Sequence, residues 1–157
     1  MLYILEGCDG SGKSTVAAKL KEVLDAEVIH CSQMTPNNFA FFNQIIEASA
    51  EKNIIADRFC YGQFVYQEEH DRPLREKGIQ GEVPALEVLH HLEADMLKTG
   101  VKVIHVTAPA DVIKERLALR KENLINGLTV EEVLIRYEAI KKMSMLPWVV
   151  WNTGGEE

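Results

Sequence analysis

The stretch EGCDGSGKST, residues 6–15, decides the fold class of this 157-residue chain. Residues 7–14 fit the pattern G-x-x-x-x-G-K-[S/T], in which glycines let backbone N–H groups turn inward onto phosphate oxygens. The motif stands between a predicted strand and a predicted helix, whose N-terminus adds a partial positive charge. We therefore predict a loop that binds the phosphates of a nucleoside triphosphate. Its predicted binding residues are Gly7, Gly10, Ser11, Gly12, Lys13, Ser14 and Thr15.

The same loop predicts the cofactors. Lys13 should reach the β and γ phosphates of ATP, and the Ser14 hydroxyl should hold Mg²⁺. The chain contains no N-K-x-D sequence, with which switch GTPases read guanine, and it is far shorter than a molecular motor. These observations favour a small ATP-dependent kinase.

Strand and helix patterns alternate along the chain. Short apolar runs predict strands at residues 2–5, 27–31, 53–56, 102–107 and 148–151. Helical patterns lie between them, at 13–25, from the Thr35-Pro36 pair onward, from Pro84 to about Gly100, at 110–120 and at 129–143. Nearly continuous apolar strands are covered on both faces, so the alternation predicts a parallel sheet between helices. Ligand groups are expected at the carboxyl ends of the strands.

Composition limits the partners and the location. The length suits a single domain over residues 1–157, and the net charge of −7 disfavours binding to DNA or to an anionic membrane surface. No apolar stretch approaches the ~20 residues of a membrane span. Three cysteines without C-x-x-C spacing predict neither disulfides nor structural zinc. We expect a soluble, cytoplasmic protein with a small nucleotide as its partner.

A second informative stretch is IIADRFCYGQFVYQ, residues 54–67. Asp57 ends a buried strand, where a carboxylate can hold Mg²⁺ directly or through water. Arg58 follows with a planar guanidinium that suits a phosphate or a carboxylate. For an Asp-Arg pair alone the alternative is a surface salt bridge. Its position after a strand in a phosphate-loop protein favours a functional role.

Three motifs in order resemble those of thymidylate kinases and the related deoxynucleoside and deoxynucleotide kinases. Residues 6–15 match the family's E-G-x-D-G-x-G-K-[S/T]-T throughout, and Asp57, Arg58, Tyr66 and Gln67 match its D-R-Y-x-x-S-x-x-A-Y-Q. The stretch APADVIKERLALR, residues 108–120, looks like the family's strand-end proline, helix and arginine-bearing lid. The resemblance implies a three-layer α/β/α P-loop kinase fold with strand order 2-3-1-4-5 and a lid at about residues 114–128. It also suggests a homodimer.

The resemblance implies an acceptor site for a deoxynucleotide. Asp9 would accept a hydrogen bond from the 3′-hydroxyl of the acceptor, and Arg58 would clamp its phosphate. Tyr66 would pack near the sugar and disfavour a 2′-hydroxyl. Gln63 stands where the family often reads the base.

The predicted lid supplies two further cations. Arg116 and Arg120, four residues apart and so on one helical face, would close over the donor phosphates and neutralise charge during transfer. The alternative is a solvated helix face beside Lys114 and Glu115. The predicted catalytic residues are therefore Lys13, Asp57, Arg58, Arg116 and Arg120, and the predicted metal ligands are Ser14 and Asp57.

The chain departs from the family after its second strand. It has HCSQMTPNN at residues 30–38 where the family usually has R-E-P-G-G, which removes an arginine expected near the acceptor phosphate. Phe39, Phe41 or Phe42 could stack on the acceptor base, and Phe42 is assigned to the substrate site. Core packing is the alternative, and the helical spacing of these rings favours it.

The sequence thus predicts a Mg·ATP-dependent kinase that phosphorylates a deoxynucleoside monophosphate, foremost dTMP or a modified pyrimidine. A deoxynucleoside kinase is an alternative, and it would need Asp57 or Glu6 as the base for a 5′-hydroxyl. Acidic composition disfavours a kinase that acts on a modified base within DNA. A regulatory ATP-binding module is the alternative from another class, and it would not need Asp57 or the lid arginines.

Overall fold

The computed structural model describes residues 1–31, 39–66, 86–124 and 127–154. The strands are β1 (Leu2–Glu6), β2 (Glu27–His30), β3 (Ile54–Asp57), β4 (Val101–Thr107) and β5 (Trp148–Asn152). The helices are α1 (Lys13–Leu24), α2 (Phe39–Ala48), α3 (Tyr61–Tyr66), α4 (Leu86–Thr99), α5 (Ala110–Leu119) and α6 (Val130–Met143). Each strand lies within one residue of its predicted bounds. The predicted helix starts at Thr35-Pro36 and Pro84 lie outside the described residues.

The strands form one parallel sheet in the order β2-β3-β1-β4-β5, which confirms the predicted order. β1 lies in the centre, with Leu5 opposite Asp57 of β3 and Glu6 opposite His105 of β4. The chain first moves to one side of β1 and then crosses to the other side. A crevice therefore opens at the carboxyl end of β1, where the phosphate loop begins.

Helices cover both faces of the sheet because β1 carries apolar side chains on both faces. Leu2 and Ile4 pack in the larger core cluster, together with Leu92 of α4. Leu5 packs in the second cluster with Val16 of α1. This arrangement confirms the three-layer α/β/α architecture and explains why β1 has no polar side chain before Glu6 other than the tyrosine hydroxyl.

A buried carboxylate ties α3 and α4 to the segment between α6 and β5. Glu93 of α4 is fully buried, and its Oε2 accepts the Tyr61 hydroxyl at 2.7 Å. Its Oε1 accepts the Met145 N–H at 2.9 Å, and the Ser144 hydroxyl contacts Oε2. Both oxygens are therefore satisfied, as a buried carboxylate requires.

The described helices are short. The two longest, α4 and α6, have 14 residues each. Within the described ranges, none is long and apolar enough to cross a membrane.

Candidate active site

The phosphate loop connects β1 to α1 and depends on glycine at two positions. A side chain on Gly7 would place its Cβ 2.1 Å from the Val106 carbonyl oxygen of β4. Gly12, at the start of α1, has a φ of +99° and lies against Thr153. Only glycine fits both the close approach at residue 7 and the left-handed backbone at residue 12 without strain.

Lys13 braces the loop from within. Its Nζ donates to the carbonyl oxygens of Gly7 at 2.9 Å and Cys8 at 3.3 Å. Burial lowers the pKa of Lys13, and the carboxylates of Asp57 and Glu6 oppose that shift. The ammonium is thus held at the base of the loop, under the position predicted for the donor phosphates.

A cleft of about 1050 Å³ opens above the loop. It brings together predicted site residues from the loop, from β3 and from α5. These are Asp9, Gly10, Gly12, Lys13, Ser14, Thr15, Asp57, Arg58, Arg116 and Arg120. The buried Gly7 and Ser11 complete the loop beneath it. Residues far apart in the sequence therefore share one cleft, although their individual roles remain predictions.

Arg58 and Asp9 form an ion pair at the predicted acceptor side. The Arg58 guanidinium contacts the Asp9 carboxylate, and its Cζ lies 4.8 Å from the centre of the Tyr66 ring. The Arg58 side chain is 16% exposed and that of Asp9 is 29% exposed. The partner predicted for the acceptor sugar and the one predicted for its phosphate are therefore adjacent and accessible from the cleft.

Tyr66 lies beneath this pair and is itself fully buried. Its hydroxyl accepts the Asp9 N–H at 3.2 Å and is 3.4 Å from the Gly7 carbonyl oxygen. Burial raises the pKa of Tyr66, so the hydroxyl remains protonated. In this structure Tyr66 supports the loop and Arg58, and its predicted contact with the sugar remains a prediction.

The remaining acceptor predictions have different outcomes. Phe42 lies in the core, 3% exposed, with its ring centre 4.8 Å from that of Phe59. It therefore offers little surface to a base, and core packing, the alternative favoured by its spacing, describes it better. The side chain of Gln63 and the following Gln67 lie outside what the structure describes.

Asp57 has a partner that the sequence did not predict. His30 ends β2 directly opposite Asp57 in the parallel register, and its Nδ1 lies 3.0 Å from Asp57 Oδ2. His30 is 69% exposed and also lines the cleft. The imidazole therefore fixes one oxygen of the carboxylate at the edge of the cleft.

Mg²⁺ fits the oxygen donors at this edge. The Ser14 hydroxyl and the Asp57 carboxylate line the same cleft and are hard ligands of the kind that Mg²⁺ takes. No three His, Cys, Asp or Glu side chains converge on a metal position within the described ranges. Mg²⁺ does not require such a cage, because it usually keeps several waters and binds substrate phosphates.

The two arginines of the predicted lid differ in their contacts. Arg116 Nη1 donates to the Gly10 carbonyl at 3.1 Å and to Thr153 Oγ1 at 2.9 Å, and Nη2 donates to the Thr153 carbonyl at 2.7 Å. Arg120 is half-exposed and pairs with Glu122, with 3.1 Å between Nε and Oε1. Arg116 thus joins α5 to the phosphate loop, whereas the Arg120–Glu122 ion pair lies at the surface. Contacts of both with donor phosphates remain predictions.

Thr153 braces both the loop and Arg116, a role that the sequence did not predict. Its hydroxyl accepts from Arg116 and also contacts the Ser11 carbonyl oxygen. Its N–H donates to the Thr107 carbonyl at 2.8 Å, which continues the pairing of β5 with β4. One hydroxyl therefore ties the phosphate loop to the edge of the sheet.

Replacing Thr153 by valine should weaken ATP binding. The change preserves shape but leaves the Ser11 carbonyl and Arg116 without this partner, so we expect the Kd for ATP to rise about 3- to 10-fold. Calorimetric titration with ATP measures it. Thr99→Val is the matched control, since it removes a hydroxyl contact to the Met96 carbonyl at the end of α4. Equal Kd values for the Thr153 and Thr99 variants would contradict the brace.

Glu6 is a further residue at the site. The sequence suggested it only as an alternative base for a 5′-hydroxyl acceptor. Its carboxylate accepts the N–H groups of Phe59 at 2.8 Å and Gly62 at 3.2 Å and the Tyr137 hydroxyl at 2.9 Å. Glu6 is fully buried, and burial raises its pKa to about 7. With no exposed surface it cannot take a proton from a substrate in the cleft, so the proposal of Glu6 as a base is wrong.

The raised pKa of Glu6 predicts a loss of stability with rising pH. Between its ordinary value of 4.5 and about 7 the folded state binds the additional proton, so the free energy of unfolding falls by about 3 kcal/mol over that range. His105 opposes this, because burial lowers its pKa from 6.5 to about 4 and adds stability as the pH rises. Urea unfolding at several pH values should show Glu6→Gln gaining on the wild type from pH 4.5 to 7. A constant difference would contradict the prediction.

The comparisons with known proteins place the chain in a family. No protein-family model matches it. It is 33% identical over 156 residues to the SPbeta prophage-derived uncharacterized protein YorR of Bacillus subtilis strain 168, with 98% of this chain and 89% of YorR covered. The chain belongs to the YorR family. A crystal structure of YorR in complex with phosphorylated GDP matches this YorR-family chain with a TM-score of 0.75 and 31% identity, over 98% of this chain and 86% of that one.

More distant solved structures share the fold of this YorR-family member. A deoxyadenosine kinase from M. mycoides with products dCMP and a flexible dCDP bound matches with a TM-score of 0.55 and 17% identity, over 98% of this chain and 89% of that one. A thymidylate kinase from Candida albicans matches at 0.51 and 18%, over 99% and 84%. At these identities the likeness shows the fold alone. It confirms the P-loop kinase fold that the three motifs predicted.

Proposed function

We propose that this chain transfers the γ-phosphoryl group of Mg·ATP to the phosphate of a deoxynucleoside monophosphate. The observation that carries the proposal is the Asp9–Arg58 pair, which lies in the same cleft as the phosphate loop. Phosphoryl transfer requires positioning and cations more than covalent chemistry from the protein. The cleft supplies both, with an anion-binding loop on one side and an accessible guanidinium on the other.

The side chains of the cleft have distinct roles in this reaction. Lys13 and the loop N–H groups hold the β and γ phosphates, and Arg58 aligns the acceptor phosphate with them. Asp9 is released from Arg58 and accepts a hydrogen bond from the 3′-hydroxyl of the acceptor. Ser14 and Asp57 would hold Mg²⁺, which when bound neutralises charge on the donor phosphates. Arg116 and Arg120, at the cleft wall, add positive charge as transfer proceeds.

A monophosphate acceptor agrees better with the site than a nucleoside. A phosphate oxygen is already anionic and needs a cation to place it, whereas a 5′-hydroxyl needs a base. Glu6 is fully buried, and the Asp57 carboxylate, which His30 contacts through Oδ2, is assigned here to Mg²⁺. The ion-paired Arg58 is therefore the feature that the site provides for its acceptor.

Two bases are proposed for the acceptor. A pyrimidine, foremost thymine, rests on the resemblance of the three motifs to thymidylate kinases. A guanine nucleotide is the second candidate, because the YorR structure was determined in complex with phosphorylated GDP. Both belong in one substrate panel.

The proposal is tested with purified protein and Mg·ATP by following ADP release. The panel contains thymidine, deoxyguanosine, dTMP, dCMP, dGMP, GMP and an oligonucleotide with a modified base. Turnover stimulated by a deoxynucleoside monophosphate supports the proposal, and the preferred base decides between the two candidates. Stimulation only by a nucleoside or only by the oligonucleotide would contradict a monophosphate acceptor and identify that molecule as the acceptor. No acceptor-dependent turnover at all would overturn it in favour of a regulatory module.

A further inference from the structure

Glu6 lies where the phosphate loop, called the donor loop below, meets the acceptor arm. The acceptor arm is defined here as residues 57–62, which run from the end of β3 into α3. Glu6 ends β1 and is followed directly by Gly7 of the phosphate loop. A single buried side chain therefore stands between the two halves of the proposed active site.

One carboxylate oxygen holds the acceptor arm. Oε2 accepts the N–H of Phe59 at 2.8 Å and the N–H of Gly62 at 3.2 Å. The Phe59 N–H precedes α3, and the Gly62 N–H lies in its first turn, where helical N–H groups have no partner within the helix. The Gly62 N–H is shared with the Phe59 carbonyl oxygen, at 3.3 Å. The common partner of both N–H groups, Glu6, comes from β1, more than fifty residues earlier in the chain.

The backbone of Arg58 lies directly before this contact. Arg58 has a φ of +69°, a left-handed conformation that a residue with a side chain rarely adopts. Such a conformation persists only where neighbouring contacts determine it. Here the Arg58 N–H donates to the Leu5 carbonyl at 2.8 Å, and Glu6 holds the next N–H along the chain. Successive β1 residues thus fix the backbone on both sides of the Arg58 Cα.

The other carboxylate oxygen, Oε1, is linked to the donor loop by hydrogen bonds through Tyr137. Oε1 accepts the Tyr137 hydroxyl at 2.9 Å, and the same hydroxyl lies 3.3 Å from the Gly7 carbonyl oxygen. That carbonyl also accepts from Lys13. The carboxylate is therefore connected through Tyr137 to the group that braces the phosphate loop.

We propose that Glu6 is a positioning residue that aims Arg58 at the acceptor phosphate, and that the reach of its Oε2 matters more than its charge. The inference rests on the proposed function, since it assigns Arg58 to the acceptor. Arg58 needs its unusual backbone to lie over Tyr66 and beside Asp9, and Glu6 supplies the acceptor for the turn that follows. Loss of this contact should leave the phosphate loop in place but misalign the Arg58 guanidinium with the acceptor phosphate.

Two substitutions at Glu6 separate reach from charge. Glu6→Asp keeps the charge but withdraws the oxygens by one methylene, out of reach of the Phe59 and Gly62 N–H groups. Glu6→Gln keeps an oxygen at the Oε2 position and removes the charge. The Tyr137 hydroxyl can then donate to Gly7. Glu93→Asp is the matched control, since Glu93 is equally buried, accepts a tyrosine hydroxyl and a backbone N–H, and contacts α3 through Tyr61.

The measurements are the acceptor kcat/KM, the Kd for ATP and amide hydrogen exchange at residues 59 and 62. For Glu6→Asp we expect acceptor kcat/KM to fall about 10- to 100-fold, as for a group displaced by ~1 Å, with the ATP Kd within about twofold of wild type. Exchange at Phe59 and Gly62 should accelerate about tenfold. Glu6→Gln should stay within about threefold of wild type in every measurement. Glu93→Asp should change neither acceptor kcat/KM nor exchange at residue 59.

Several results would overturn the inference. They are an unchanged Glu6→Asp variant, equal losses in Glu6→Asp and Glu93→Asp, or a loss in Glu6→Gln as large as in Glu6→Asp. Failure of the proposed function is distinguishable, because it would appear as absence of acceptor-dependent turnover in the wild type. In that case the exchange rates of the three variants still decide whether Glu6 holds the acceptor arm.

Discussion

Arg58→Ala is expected to lower acceptor kcat/KM by about 10²- to 10³-fold while the Kd for ATP changes by less than about twofold. The guanidinium faces Asp9 and Tyr66, whereas the phosphate loop is held separately by Lys13, Arg116 and Thr153. Removing the guanidinium therefore removes the clamp and frees the Asp9 side chain, while the loop keeps its contacts to Lys13, Arg116 and Thr153. Steady-state kinetics with the preferred monophosphate, together with calorimetric ATP titration, measure the two effects.

Arg58→Lys is the matched variant for this experiment. Alanine and lysine meet the same left-handed backbone at residue 58, so the pair differs in the head group and not in backbone cost. A lysine retains the charge but not the bidentate fork, and we expect it to recover part of the lost kcat/KM. Loss of ATP binding in the alanine variant would show that Arg58 serves the donor and that the acceptor side is assigned wrongly.

The sheet could be predicted from sequence because local and long-range signals agree. The motif at residues 7–14 fixes the order of β1, loop and α1, and the apolar runs are bounded clearly enough to locate each strand within one residue. Continuous apolar character then requires helices on both faces. The order of the strands followed from the family resemblance, since periodicity alone does not pair strands.

Helix α3 shows where this reasoning fails. YGQFVY, residues 61–66, has little more than one and a half turns, and Tyr61, Val65 and Tyr66 are all fully buried. With apolar residues on several sides it has no amphipathic period. The side chain that holds its start is Glu6, which accepts the N–H of Phe59 and shares the N–H of Gly62 with the Phe59 carbonyl oxygen. A helix whose N-terminal partner lies in a distant strand leaves no sequence signal.

The site could be predicted only in part, for a similar reason. Residues that line the cleft belong to local motifs, so Lys13 and Ser14 could be predicted from their spacing and Asp57 and Arg58 from their position after a strand. Two residues that hold parts of the site come from elsewhere in the sheet: His30, at the end of β2, contacts Asp57, and Thr153, just after β5, contacts the Ser11 carbonyl oxygen. Their one usable signal is position, because parallel strands end at the same edge of the sheet and β2 is adjacent to β3. Phe42 shows the reverse case, in which helical spacing correctly favoured burial over a role in the site.

Asp57→Asn is expected to have the second large effect, a fall in kcat of about 10²- to 10³-fold. Asparagine preserves the size of the side chain and can still accept a hydrogen bond from His30, which lies 3.0 Å from Oδ2. The change therefore removes a negative charge with little disturbance of the cleft. Because hard cations prefer carboxylate to amide oxygen, the Mg²⁺ concentration for half-maximal rate should also rise by about tenfold or more.

His30→Ala separates the charge of Asp57 from its orientation. It leaves the carboxylate in place but frees Oδ2, so we expect a fall in kcat of only about 3- to 10-fold and a small change in Mg²⁺ dependence. The contrast matters because both side chains line the cleft and a general disturbance would affect them alike. If Asp57→Asn retained the wild-type rate and Mg²⁺ dependence, the carboxylate would have no part in holding the cation. Equal effects of the two substitutions would instead assign the loss to the His30–Asp57 pair as a unit, and the metal ligands would have to be sought elsewhere along the edge of the sheet.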